Sequence, residues 1–73
     1  MEPFTKALEI VTRVMREGAA THPDHDWVGR DPDYHLGRAE EHLCLWRDGD
    51  QLQGHVSHAA TRLLTALTLR ELA

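Results

Sequence analysis

Residues 31–47, Asp31-Pro32-Asp33-Tyr34-His35-Leu36-Gly37-Arg38-Ala39-Glu40-Glu41-His42-Leu43-Cys44-Leu45-Trp46-Arg47, decide the fold. Asp31 is a strong helix N-cap, Pro32 suits the first helical position, and Asp33 favours the positive end of the helix dipole. Leu36, Ala39, Leu43 and Trp46 recur at helical spacing, and Asp48-Gly49-Asp50 supplies a stop. The segment therefore reads as a helix ending near Arg47.

The same reading extends in both directions. Upstream, Pro3 to Glu17 places Phe4, Ala7, Leu8, Val11, Val14 and Met15 on one face, with Gly18 as the expected C-terminal cap. Ala19 to Arg30 reads as a loop, broken by Pro23 and Gly29. Within it, Trp27 is expected to fold back onto the core. Downstream, Gly54 to Leu72 reads as a third helix with Val56, Ala59, Leu63, Ala66 and Leu67 as its stripe. Leu64, Leu69 and Leu72 lie outside that stripe, so this helix has apolar residues for two partners. No segment alternates with period two. The expected fold is all-α, a small three-helix bundle forming one domain over residues 1–73.

Composition narrows the function. The chain has 73 residues, is 41% hydrophobic and carries a formal charge of -4. Apolar content is near the globular norm, which argues against disorder. No apolar run reaches the ~20 residues of a membrane span. The net charge disfavours a general nucleic-acid coat. Cys44 has no partner for an internal disulfide, and no cysteine pair offers a zinc clip. Its place opposite the apolar stripe makes it a bystander. The N-terminus, Met1-Glu2-Pro3-Phe4, lacks a signal-peptide core, so a cytoplasmic protein is expected. A domain this small buries only about 60% of its unfolded surface. With no staple in sight, completion by homo-oligomerisation is expected.

Six histidines in so short a chain stand out. His35, Arg38 and His42 are spaced i, i+3, i+7 on one helix, and His55, His58 and Arg62 repeat the spacing on the next. Helices joined by a short loop pack antiparallel, so the two lines are expected to face one cleft, either within the chain or across an oligomer interface. Guanidinium forks and imidazole donors suit a phosphate-bearing ligand. Trp27, Tyr34 and Trp46 are candidate stacking surfaces for a base. The plainer reading pairs each arginine with a carboxylate, Arg38 with Glu41 and Arg62 with a neighbour's Glu71, and leaves the histidines as helix-border residues. A metal reading is also open, with His55, His58 and either His42 or His35 supplying three imidazoles. Nearby arginines would repel that cation. The loop cluster His22, Asp24, His25 and Asp26 is better explained by turn chemistry.

Trp27, Tyr34, Arg38-Ala39, His42-Leu43, Trp46, Gly49-Asp50 and His55-Val56-Ser57-His58-Ala59 leading into Leu63-Leu64 carry a resemblance. The stretch from His22 to Leu67 resembles the phage-associated dATP/dGTP diphosphohydrolase N-terminal domain family. That resemblance implies nucleotide chemistry and a phage or prophage source. The layout is similar to the all-α nucleotide pyrophosphohydrolases, which hold Mg²⁺ with Glu-x-x-Glu and Glu-x-x-Asp pairs. Here Glu40 and Glu41 are adjacent, and the third helix offers only Glu71. Phosphate recognition survives that departure better than hydrolysis does.

The expected function is therefore nucleotide binding, with sequestration of a cyclic or ADP-ribose-type host immune signal and no cofactor. One alternative is a Mg²⁺- or Mn²⁺-dependent pyrophosphohydrolase using Glu40, Glu41, Asp48 and His42. The other is a structural or partner-binding helical module.

Overall fold

The computed structural model describes residues 3–21, 26–51 and 54–72, with the side chain of Asp26 excepted. Three α-helices account for most of them: α1 (Thr5–Thr21), α2 (Pro32–Arg47) and α3 (His55–Leu72). A 3₁₀ turn, Asp26–Gly29, leads into α2. Among the described residues there is no strand. The fold is an all-α three-helix bundle.

The second helix begins and ends where its local chemistry dictates. Asp31 is extended, at φ -63° and ψ 141°, and its carboxylate accepts the Asp33 N–H at 2.8 Å. Pro32 follows without loss, because its missing N–H would have lacked a partner. At the other end, Asp50 N–H donates to the Leu45 carbonyl and Gly49 N–H to the Trp46 carbonyl. This Schellman closure requires a left-handed residue, and Gly49 supplies it at φ 103°. Gly54 then opens α3, its carbonyl accepting both the His58 N–H and the Ser57 hydroxyl.

The first helix departs from its expected bounds. Pro3 and Phe4 form a turn before it, and the helix runs through Gly18 to Thr21. Ala19 and Ala20 favour continuation. The Thr21 hydroxyl reaches back to the Glu17 and Gly18 carbonyls, satisfying groups that a glycine cap would otherwise serve. The expected loop thus shrinks at both ends. Residues 22–25 lie outside the described part.

The core is an α2/α3 hairpin, with α1 leaning mainly on α3. Its buried apolar residues are small: Ala39, Ala59 and Ala66. Small side chains let the two helix backbones approach closely. The expected leucine stripes are only partly inside. Leu36, Trp46, Val56, Leu63 and Leu67 are exposed, while His35, His55, Thr61 and Thr65 are buried. The helix faces are rotated toward the histidine lines, because hydrogen bonds within the seam satisfy those polar groups. Thr61 and Thr65 also satisfy themselves, donating to the carbonyls of Ser57 and Thr61 at 2.8 Å.

Candidate functional site

The two histidine/arginine lines face each other across the hairpin. His35 is fully buried, and both of its ring nitrogens are engaged. Arg62 Nη1 donates to His35 Nδ1 at 2.9 Å, and His35 Nε2 donates to the Trp27 carbonyl at 3.0 Å. Guanidinium only donates, so the tautomer follows: Nδ1 accepts and Nε2 carries the hydrogen. Trp27, His35 and Arg62 are thereby tied into one chain running from the 3₁₀ turn through α2 to α3.

A second chain of hydrogen bonds also joins α2 to α3. His42 Nδ1 and His55 Nδ1 lie 2.9 Å apart and share one hydrogen. His55 Nε2 donates to Asp50 Oδ2 at 3.1 Å. The His42 ring also stacks on His58, with centroids 5.3 Å apart and planes inclined by 28°. His42 thus sits where the buried His55, held by the partly exposed Asp50, meets open space. Burial lowers its pKa from the ordinary 6.5, and the positive charges of His58, Arg38, His55 and Arg62 lower it further.

That open space is a cleft of about 760 Å³ between α1 and the hairpin. Trp27, Arg38, His42, His58 and Arg62 line it, with Thr61 and Thr65 on the α3 side. Met15, Arg16 and Glu17 are among the residues that α1 contributes to the opposite wall. Arg38 is paired with Glu41, as the plainer reading expected. Arg62 has no carboxylate within ion-pair distance among the described residues, although it is only partly exposed.

The candidate residues therefore divide. Trp27, Arg38, His42, His58 and Arg62 line the cleft, while His35 and His55 stand behind it as buried supports. Tyr34 lies beneath two guanidiniums, at 4.6 Å from Arg30 and 5.8 Å from Arg62, outside the cleft lining. Trp46 stands in the last turn of α2, 41% exposed and outside the cleft lining, so Trp27 alone of these three aromatics lines the cleft.

Within the described residues, no set of three or more His, Cys, Asp or Glu is arranged to hold a metal ion. His55, one of the proposed imidazole ligands, spends both nitrogens on His42 and Asp50. The loop cluster from His22 to Asp26 lies outside the described side chains. Of the candidate hydrolytic acids, Glu40 and Asp48 are exposed and outside the cleft lining, and Glu41 holds Arg38. Cys44 is exposed and free.

The chain matches no protein-family model, no curated protein and no solved structure.

Sequence reasoning missed Asp50, Arg16, Thr61 and Thr65. Asp50 was readable only as part of the helix stop. Its reach back to His55 depends on the Schellman turn, which periodicity does not report. The threonines carry no signal distinguishing a buried, self-satisfied hydroxyl from a solvated one.

Proposed function

We propose that this protein binds a phosphate-bearing small molecule, a nucleotide in the first instance, in the cleft between α1 and the α2/α3 hairpin. Arg62 carries the reading. It is a partly buried guanidinium facing a cleft, fixed by a neutral imidazole rather than a carboxylate. A desolvated cation without a counterion favours an anionic guest. Arg38, His42 and His58 surround the same volume with further donors. The cleft volume of about 760 Å³ falls in the range of small-molecule sites. The Trp27 ring offers a base a stacking face.

The reading extends to biology. A binder of this kind, working in the cytoplasm of an infected or lysogenic bacterial host, would sequester a nucleotide immune signal. Among the described residues no helix is long and apolar enough to cross a membrane. The proposal includes a homo-oligomer, since so small a domain leaves much apolar surface uncovered.

The test is a thermal-denaturation panel of mono-, di- and cyclic nucleotides, inorganic phosphate and uncharged nucleosides. Phosphate-bearing members are expected to raise Tm, by about 2.7 kcal/mol of stabilisation at a hundredfold excess over Kd. Arg62→Gln is expected to abolish the effect. Ligand recovered intact after denaturation distinguishes a binder from a hydrolase, which would release pyrophosphate with Mg²⁺ or Mn²⁺. If no phosphate-bearing compound shifts Tm, and His55→Ala, His58→Ala and Arg62→Ala change stability alone, the cleft is structural and the proposal fails.

A further inference from the structure

The hairpin has two sides, and only one of them carries the cleft. On α3 the cleft residues His58, Thr61 and Thr65 occupy one sector, and His55, Ala59 and Ala66 turn toward α2. Val56, Ala60, Leu63 and Leu67 step by four, three and four residues. At 3.6 residues per turn they form a straight stripe roughly opposite the cleft sector. That spacing is the one that lets helices pair along a seam. Val56, Leu63 and Leu67 are 51%, 47% and 55% exposed. On α2, Leu36 and the half-buried Leu43 lie on the corresponding side, away from Arg38 and His42, with Leu36 39% exposed. The back of the hairpin is therefore apolar along α3, while along α2 the same steps alternate Leu36 and Leu43 with the exposed Glu40 and Arg47.

Two global quantities say how much surface is uncovered. The accessible surface is 5829 Å². A compact monomer of this mass exposes about 4,600 Å². The excess, on the order of 1,200 Å², is spread over the whole chain, the open cleft included, and compares with the roughly 800 Å² that each partner buries in a standard interface. The radius of gyration, 12.6 Å, likewise exceeds the ~11 Å of a compact chain of this length.

We infer that a second copy of this chain seats on the back of the hairpin, so that α2 and α3 of two protomers form a four-helix bundle about a two-fold axis. This rests on the homo-oligomer included above and names its surface and architecture. Among the described residues α1 covers the hairpin on its cleft side, and the back of α3 has no second layer against it. A two-fold interface uses the same patch from each copy, so the apolar α3 stripe meets its own counterpart, with Glu40 and Arg47 of α2 at its edge. The arrangement leaves both His/Arg clefts on the outer faces of the bundle, open to ligand. Phe4, in the turn before α1, and Leu8, in its first half, are 68% and 52% exposed and form no part of the pairing surface.

The test is sedimentation equilibrium of the full chain from 5 to 200 µM. The wild-type protein is expected to reach twice the protomer mass and to melt at higher temperature as concentration rises. Leu63→Glu and Leu67→Glu are each expected to raise the dimer dissociation constant at least about thirtyfold. Leu8→Glu in α1 is expected to leave it unchanged. Circular dichroism reports whether each variant keeps its helices. For a variant that does not, hydroxyl-radical footprinting of the wild type at 5 and 200 µM decides instead. Protection of Leu63 and Leu67 without protection of Leu8 supports the interface. A wild-type chain that stays monomeric at 200 µM overturns both this face and the oligomer. A dimer indifferent to Leu63→Glu and Leu67→Glu, or broken by Leu8→Glu, overturns the face alone.

Discussion

His35 has no exposed surface and no free nitrogen. It joins the Trp27 carbonyl to Arg62, and so ties down the backbone of the 3₁₀ turn and the cation that the cleft presents. Replacing it with leucine keeps much of the volume but strands a buried carbonyl and a partly buried guanidinium. His35→Leu is expected to cost about 2–4 kcal/mol, measured by urea unfolding. A cost below ~0.5 kcal/mol would show that neither hydrogen bond matters to the fold. His42 behaves differently because it titrates. Its folded pKa lies below 6.5, through burial first and then through the cations His58, Arg38, His55 and Arg62. The unfolded chain therefore takes up this proton at higher pH than the folded chain does. Stability from this group is complete above about pH 6.5 and is lost as pH falls below it. Urea unfolding at pH 7.5, 6.5 and 5.5 should show a steeper loss in wild type than in His42→Gln. Equal slopes would remove His42 as the cause.

The helices differ in how visibly their ends are written. The bounds of α2 rest on contacts within a few residues, so Asp31, Pro32 and the Gly49 stop could be read directly. Asp31→Ala should cost about 1 kcal/mol, lowering Tm by roughly 4–8 °C in a domain of this size. At Gly49 a Cβ would meet no atom within 4 Å, so Gly49→Ala tests backbone strain alone at φ 103°. It should cost about 1–2 kcal/mol, and a neutral result would mean the Schellman turn rearranges freely. The two histidine/arginine lines were also legible as lines, since they follow from spacing, while their meeting within one chain was left open. The helix faces were not legible. Hydropathy puts Leu36 and Val56 inside, yet His35 and His55 took those places. Their partners, the Trp27 carbonyl, Arg62 and Asp50, come from eight, twenty-seven and five residues away. Periodicity within one helix cannot report such bonds. The end of α1 escaped for a related reason, because the Thr21 hydroxyl caps carbonyls that glycine was expected to leave.

At the scale of the whole molecule, the proposed ligand would couple to proton uptake and stability through one cleft. The charges facing His42 come from each packed element: Arg38 on α2, His55, His58 and Arg62 on α3, and Arg16 and Glu17 across the cleft on α1. An anion seated among them offsets the cations that hold the His42 pKa down. Binding should then raise that pKa and draw in a proton. A phosphodiester is the right probe, because its own charge stays constant between pH 6 and 8 while a phosphomonoester titrates near pH 6. For 3′,5′-cyclic AMP or a cyclic dinucleotide, affinity should rise as pH falls from 7.5 to 6, although the free protein grows less stable over the same interval. Calorimetric titration in two buffers of different ionisation heat counts the proton directly. Wild type should show net uptake that His42→Gln loses while still binding. Uptake unchanged in His42→Gln would place the coupled proton on another group, and no uptake in wild type would mean that the bound anion leaves the His42 charge balance untouched.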